Sequence, residues 1–136
     1  MRRLGLGLAL SLFAFPAMAA SIPGQAAILQ GLDKVTARIS TFEAPINKPV
    51  KFGSLEIVVR ACNKRPVEET PESAAFVEII EQLPGEAPKA LFSGWMFASS
   101  PALNPLEHPV YDIWVTDCKT AEPVEPAKPP AKPPAK

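Results

Sequence analysis

The placement of its prolines is the feature that most limits how this chain can fold. The sequence of 136 residues holds 17 prolines, well above the usual share of about 5%. Within residues 27–119 they lie between runs of alternating apolar and polar residues and not inside them. The prolines that separate these runs are Pro45, Pro49, Pro66, Pro71, Pro101, Pro105 and Pro109. Because proline cannot donate to a strand ladder, this placement is typical of strand boundaries.

Five runs are predicted to be short strands, and most of them show period-two alternation. They are residues 35–42, 55–62, 76–83, 91–98 and 110–118. Residues 84–88, which read Pro-Gly-Glu-Ala-Pro, are typical of a hairpin loop. No stretch carries a sustained 3.6-residue apolar stripe, which argues against long helices. We therefore predict an all-β (mainly β) domain over residues 27–119, a small antiparallel sandwich or barrel of five or six or more short strands.

Composition also suggests where the first and last elements lie. Residues 25–29 fit either a turn or two of helix or an edge strand. Residues 110–118 carry apolar side chains on both faces. Tyr111, Ile113 and Val115 lie on one face, and Val110 and Trp114 lie on the other. Such a strand is predicted to be central in its sheet and covered on both sides.

The first 19 residues have the features of a secretory signal peptide. Arg2 and Arg3 precede about twelve mostly apolar residues, and Ala17-Met18-Ala19 offers small residues to a signal peptidase. The apolar run is shorter than the roughly 20 residues of a membrane-spanning helix, so an uncleaved anchor is the less favoured interpretation. We expect cleavage after Ala19, a linker over residues 20–26, export to the periplasm and no transmembrane segment after cleavage.

The C-terminal residues 120–136 are predicted to be a disordered, proline- and lysine-rich tail. From Glu122 onward the chain has six prolines in fifteen residues, and the sequence Ala-Lys-Pro-Pro occurs twice. Such a segment buries too little apolar surface to fold and favours extended polyproline II. Lys128, Lys132 and Lys136 allow two interpretations, a solvated tail or a weak association with an anionic surface of the envelope.

The two cysteines, Cys62 and Cys118, each lie at the end of a predicted strand. In an exported protein, two and only two cysteines are most simply a disulfide. Its closed loop of about 57 residues is worth roughly 4 kcal/mol in the chain-entropy account. A redox-active pair lacks its usual cue, because the sequence has no Cys-x-x-Cys.

The charges exclude some classes of partner. The chain has 14 basic and 14 acidic side chains, so it has no basic footprint for nucleic acid. Within residues 33–119 nine basic and twelve acidic side chains leave a net charge of −3. One histidine and two cysteines are too few for a four-ligand structural zinc site without carboxylates. We predict no metal site and no cofactor.

His108 is the only histidine, and it is the one residue around which a catalytic site can be drawn. Ser99, Ser100 and Asp112 are close in sequence, but there is no Gly-x-Ser-x-Gly elbow and no recognisable oxyanion loop. The favoured interpretation is that His108 hydrogen-bonds loop backbone ahead of the last strand. No catalytic residue is predicted.

Acidic residues offer no stronger case for chemistry. Glu68, Glu69 and Glu72 lie in a proline-bounded segment that fits a solvated turn better than a weak calcium site. Glu78 and Glu81 are three residues apart on one predicted strand, so they lie on opposite faces and make a poor glycosidase pair.

The segment Phe92-Ser93-Gly94-Trp95-Met96-Phe97 has the most unusual local composition. Alternation places Phe92, Gly94 and Met96 on one face, and Ser93, Trp95 and Phe97 on the other. Either the strand is buried on both faces, or one aromatic face is exposed and serves as an interaction patch. Gly94 suggests a bulge or a close backbone approach. The candidate contact residues are Trp95, Phe97 and His108, with Tyr111 as a weaker candidate.

Several blocks of the sequence resemble an exported bacterial family. They include Phe-Ser-Gly-Trp-Met-Phe-Ala-Ser-Ser-Pro at residues 92–101, Glu-His-Pro-Val-Tyr-Asp-Ile-Trp at residues 107–114, and both cysteines. The chain resembles domain-of-unknown-function family 2155, which is largely alphaproteobacterial, over about residues 28–119. The resemblance implies a periplasmic setting and places both cysteines on the family's pattern. It implies no activity, cofactor or catalytic residue.

Together these observations favour a periplasmic, disulfide-linked β domain that binds an envelope protein or polymer without catalysis. One alternative is an assembly or structural factor that its C-terminal tail tethers to an envelope complex. The other is a hydrolase that acts on envelope material through His108 and Asp112 or a nearby serine.

Overall fold

Two antiparallel sheets form the domain in a computed structural model that describes residues 21–121. Its only helical element within that range is a short 3₁₀ turn at Pro101–Leu103. The strands are β1 (Ile22–Pro23), β2 (Ala26–Asp33), β3 (Arg38–Pro45), β4 (Val50–Phe52), β5 (Leu55–Lys64), β6 (Ser73–Glu81), β7 (Lys89–Phe97) and β8 (Tyr111–Lys119). The predicted all-β fold is confirmed. Across residues 21–121 no helix is long and apolar enough to cross a membrane.

The larger sheet has the order β1-β5-β6-β7, with β4 also paired to β5, and the smaller sheet has the order β3-β2-β8. Alternation explains how they pack, because every second residue is buried from Leu55 to Val59 of β5 and from Ser73 to Ile79 of β6. The largest fully buried side chains come from both sheets and form one core: Leu29, Leu55, Ile57, Val59, Val77, Ile79 and Val115. Each sheet keeps free edges, so the arrangement is a sandwich and not a closed barrel.

The predicted Cys62–Cys118 disulfide is confirmed, and it joins the two sheets. Cys62 lies near the end of β5 and Cys118 near the end of β8, with their Cα atoms 5.7 Å apart. Both side chains are buried in the common core. Since β5 and β8 belong to different sheets, this bond fixes one end of the sandwich.

The prediction of a strand over residues 35–42 is wrong by three residues. Residues 34–37 form a turn between β2 and β3, and Ala37 has a φ of 57°. The Asp33 carboxylate accepts hydrogen bonds from the backbone N–H groups of Val35 and Thr36, which favours the turn over a continued strand. Val35 is 78% exposed, so its place in an alternating run did not reflect burial.

Two predictions about position within the sheets, those for residues 25–29 and for residues 110–118, are wrong. Residues 25–29 belong to neither a helix nor an edge strand, because β2 lies between β3 and β8. Conversely, β8 pairs only with β2 and is an edge strand, with Ile113 and Val115 facing the core. Its second apolar face is only half-buried at Trp114. The short strand β1 lies inside the predicted linker, where Gly24 N–H donates to Cys62 O.

The other four predicted strands correspond to β5, β6, β7 and β8 to within three residues at each end, whereas β4 was not predicted. Gly94 marks a close approach and not a bulge: a Cβ there would lie 2.8 Å from Asn104 Nδ2. That amide donates to Trp95 O at 2.9 Å. The irregularity in the β6–β7 pairing falls between Ile79 and Ile80. The predicted signal peptide, and the tail from Glu122 onward, lie outside the described residues.

Replacing both cysteines, Cys62→Ala with Cys118→Ala, should lower the free energy of unfolding by about 3–5 kcal/mol, because the unfolded chain regains the entropy of a long loop. Urea denaturation measures this, with wild-type protein under reductant as the matched control. The two should agree to within about 1 kcal/mol. A loss below about 1 kcal/mol in both would show that the bond contributes little to the fold.

Candidate interaction surface

The structure places the four predicted contact residues in two separate regions. Trp95 lies opposite Phe76 on the outer face of the larger sheet, and Phe97 lies two residues further along the same face of β7. His108 contacts Glu81 and stacks on Tyr111 with ring centroids 5.3 Å apart. Along β6, Phe76 and Glu81 are separated by roughly 16 Å, at about 3.3 Å per residue. The four residues therefore do not form one patch.

The first region is a partly exposed aromatic surface, which we call the aromatic face. Since Ala75 and Val77 of β6 point into the core, the intervening residues point outward. Phe76 meets Trp95 edge-on, with ring centroids 5.6 Å apart and planes at 78°. Register places small side chains beside the rings. The aromatic face consists of Ala61, Ala74, Phe76, Trp95 and Phe97.

Trp95 has a hydrogen-bond donor that nothing in the described part of the chain satisfies. Its side chain is 38% exposed. The contrast is Trp114, whose Nε1 donates to Gln30 Oε1 at 3.1 Å. Met96, between Trp95 and Phe97, is buried in the core. Of the two alternatives for this segment, the structure therefore has the one with an aromatic face exposed.

Charged and polar side chains border the aromatic face on one side. Arg60 Nε lies 3.0 Å from Glu78 Oε2, and Arg60 Nη1 donates to Asn47 Oδ1 at 3.2 Å. An apolar centre beside a polar rim is the usual anatomy of a protein interaction site. Glu78 and Glu81 lie on opposite faces of β6, as predicted, since Glu81 turns instead towards His108.

In the second region both ring nitrogens of His108 are hydrogen-bonded. Nδ1 accepts hydrogen bonds from Val110 N at 3.0 Å and Tyr111 N at 3.1 Å, which confirms the predicted bonding to loop backbone. The proton therefore sits on Nε2, which donates to Glu81 Oε2 at 2.6 Å. The imidazole is only 8% exposed and has no free lone pair with which to take a proton from a nucleophile.

Glu81 is a partner of His108 that the sequence analysis missed, and Ser54 in turn binds Glu81. Ser54 Oγ donates to Glu81 Oε2 at 3.3 Å. The hydrogen bond from His108 lowers the pKa of Glu81 below its ordinary 4.5. Glu81 and His108 are 27 residues apart in the sequence, so period-two alternation could not reveal their contact. Alternation showed only that Glu81 and Glu78 lie on opposite faces of their strand.

The hydrolase arrangement suggested by sequence proximity does not form. Asp112 Oδ1 lies 3.0 Å from Lys34 Nζ, which also donates to His108 O at 2.8 Å. Asp112 thus binds a lysine, while the carboxylate on the imidazole belongs to Glu81. The Ser99 hydroxyl donates to Glu72 and not to His108. The geometry supplies no serine–histidine–acid chain around His108.

A shallow cavity of about 420 Å³ lies at the disulfide end of the sandwich, beside the β5–β6 loop. Two carboxylates in its wall bind protein groups. Glu72 accepts from Ser73 N at 3.0 Å and Ser99 N at 3.1 Å. Asp117 accepts from Ser73 Oγ and Cys118 N, and pairs with Lys64 at 2.9 Å. Within residues 21–121 no group of three or more His, Cys, Asp or Glu side chains is placed to hold a metal ion.

These contacts shift the acid–base behaviour of both carboxylates. Burial raises the pKa of Glu72, but hydrogen bonds from Ser99 and Ser73 outweigh it and bring the pKa below 4.5. Burial likewise raises the pKa of Asp117, while Lys64, the Cys118 N–H and Ser73 bring it below 3.8. Both groups are therefore more acidic in the folded chain than in the unfolded chain.

The free energy of unfolding should be flat above about pH 5 and should fall below about pH 4. A carboxylate whose folded pKa is depressed stabilises the fold above its unfolded pKa, and that stability is lost as pH falls through the folded pKa. Glu72→Gln should lose about 1 kcal/mol at pH 7 and should flatten the acid limb. Urea denaturation from pH 3 to 7 measures both effects, with the exposed Glu86→Gln as control. Equal acid limbs in the two variants would contradict this account.

His108→Ala should lower the free energy of unfolding by about 2–3 kcal/mol, because it leaves Val110 N–H and Tyr111 N–H without their acceptor. Glu107→Ala, at the exposed neighbouring position, should stay within about 0.5 kcal/mol of wild type. Denaturation midpoints at pH 7 give the comparison. Equal decreases in the free energy of unfolding of the two variants would show that His108 does not have this structural role.

Comparison with known proteins assigns the chain to a family. Residues 27–118 match the family described as an uncharacterized protein conserved in bacteria. The chain is also 32% identical over 87 residues to uncharacterized protein RP359 of Rickettsia prowazekii (strain Madrid E). That match covers 64% of this chain and 56% of the Rickettsia protein, so the chain spans little more than half the relative's length. No solved structure matches significantly. The chain belongs to the bacterial domain-of-unknown-function family 2155 (DUF2155), as its sequence blocks predicted.

Proposed function

We propose that this protein is a non-catalytic interaction module of the cell envelope that acts in the periplasm through its aromatic face. The observation that carries the proposal is Trp95, a large side chain that is 38% exposed. It leaves its indole N–H unpaired among the described residues and lies between Phe76 and Phe97. Tryptophan is enriched at interaction hot spots because it offers both apolar area and a donor.

Two observations support the periplasmic setting. The first 19 residues have the pattern of a cleavable secretory signal. The Cys62–Cys118 bond belongs to a class that persists in oxidising compartments and is rare in the bacterial cytoplasm.

A binding role is favoured over catalysis because the reactive groups already have protein partners. The His108 imidazole is bonded at both nitrogens, while Glu72 and Asp117 each accept several hydrogen bonds. Catalytic groups in a free enzyme generally face a space that substrate can enter. Of the two tryptophans within residues 21–121, Trp95 is the one whose outward-facing indole N–H has no hydrogen-bond partner.

Trp95→Ala should strongly weaken partner capture while leaving the fold intact. Loss of a central tryptophan costs about 2 kcal/mol or more at an interface, which is roughly a thirtyfold loss of affinity. The measurement is photo-crosslinking in the periplasm from a benzophenone side chain at position 97, with and without Trp95→Ala. Discrete adducts should form and should fall at least about tenfold in the variant.

Ile39→Ala is the matched control, because Ile39 is also a large apolar residue, is 62% exposed and lies on the other sheet. It should leave the adducts unchanged. Thermal unfolding of both variants separates folding loss from binding loss. If Trp95→Ala unfolds the domain with no separate loss of adducts in the folded fraction, the aromatic face is core packing and the proposal fails.

A further inference from the structure

We propose that the aromatic face binds the chain's own C-terminal segment, Glu122–Lys136, through its paired prolines. This inference rests on the proposed function, because it names the kind of ligand that the aromatic face takes. An extended proline-rich segment carries apolar rings and backbone carbonyls that have no internal partners. Aromatic surfaces with a tryptophan N–H meet both needs, since the rings pack on the proline and the indole donates to a carbonyl.

The aromatic face has the required chemistry in the right arrangement. Trp95 and Phe76 meet edge-on and form a corner, and Phe97 extends the apolar surface along β7. Because the side chains of Ala61 and Ala74 are small, they leave space beside these rings for a ligand. The Trp95 indole N–H supplies a donor that has no partner within residues 21–121.

The C-terminal segment has the matching chemistry. Pro129 and Pro130 form one pair, and Pro133 and Pro134 form a second. Proline restricts the unbound chain to extended conformations, so less conformational entropy is lost on docking. Attachment to the same chain provides an effective concentration on the order of 1 mM without any further contact.

The segment starts close enough to reach the aromatic face. Cys118 Cα is 5.7 Å from Cys62 Cα on β5. β7 lies two strand spacings of about 4.8 Å beyond β5, which places Phe97 within about 15 Å of the end of β8. The seven residues Glu122–Lys128 span about 22 Å in an extended polyproline conformation. Pro129 can therefore reach Phe97 around the disulfide end of the sandwich.

Charge favours the same arrangement. The last ten residues carry Lys128, Lys132 and Lys136 and no acidic side chain, whereas residues 33–119 have a net charge of −3. Glu68 and Glu69 are exposed in the β5–β6 loop and have no side-chain partner within residues 21–121. That loop adjoins the end of β7, because Ala98 N–H donates to Ser73 O. The lysines can therefore meet these carboxylates when the prolines cover the rings.

The test compares two forms of the protein purified after periplasmic expression, each with its C-terminal segment. One is wild type and the other replaces Pro129, Pro130, Pro133 and Pro134 with alanine, which keeps length and charge. An intrinsic Kd of about 0.1 mM against about 1 mM effective concentration keeps about nine tenths of the molecules closed. The Trp95 indole N–H should therefore exchange with solvent about tenfold more slowly in wild type than in the alanine form.

Two-dimensional NMR of the indole N–H groups provides the readout. Trp95→Phe assigns the Trp95 signal, and Trp114 serves as the internal reference that should not change. Identical Trp95 exchange and chemical shift in the two forms overturn the inference. Protection that rises with protein concentration overturns it as well, because the ligand would then be the segment of a second copy. Neither result touches the crosslinking test of the proposed function, which reads partner adducts at position 97.

Discussion

The bond between Cys62 and Cys118 holds β8, an edge strand with one backbone neighbour, against the middle of the larger sheet. The polar contacts at that end depend on this connection. Asp117, next to Cys118, reaches across to Lys64 and Ser73 of the other sheet. Ser73 begins β6, and Glu72 beside it accepts from Ser99 beyond β7. A chain of this size buries a limited core, so a covalent link between its sheets replaces packing that a larger domain would supply.

At the opposite end of β6, His108 holds the chain before β8 against the larger sheet. Its imidazole ties the segment before β8 to Glu81 at the end of β6, and Tyr111 stacks on it while meeting Phe52 edge-on. The sandwich is thus closed by a disulfide with two carboxylates at one end and by a histidine–carboxylate pair at the other. The histidine and carboxylates that were considered as catalytic candidates instead hold loops in place through hydrogen bonds, because each buried polar group needs a partner. The outward-facing aromatic residues are the surface on which the proposed interaction rests.

Period-two alternation found most of the strands, because burial on one face imposes it directly on the sequence. It failed at Val35, where an aspartate-capped turn interrupts an apparently regular run. It failed again in placing β2 and β8, since composition cannot show which strand lies beside which. The aromatic segment around Trp95 was recognised from its composition. Its separation from His108 was not, because positions 95 and 108 are close in sequence while their partners Phe76 and Glu81 lie apart on β6.

The amino-acid sequence by itself determined the class of fold, the disulfide partners and the acidic charge of the domain. These follow from local alternation, from having two cysteines and from counting side chains. Only the tertiary structure decided which strands are edges, which carboxylate holds His108 and which aromatic residues face outward. The reason is physical. Alternation divides a strand into two faces, but which face is covered depends on where the other sheet packs, and that is a property of contacts between residues far apart in the chain.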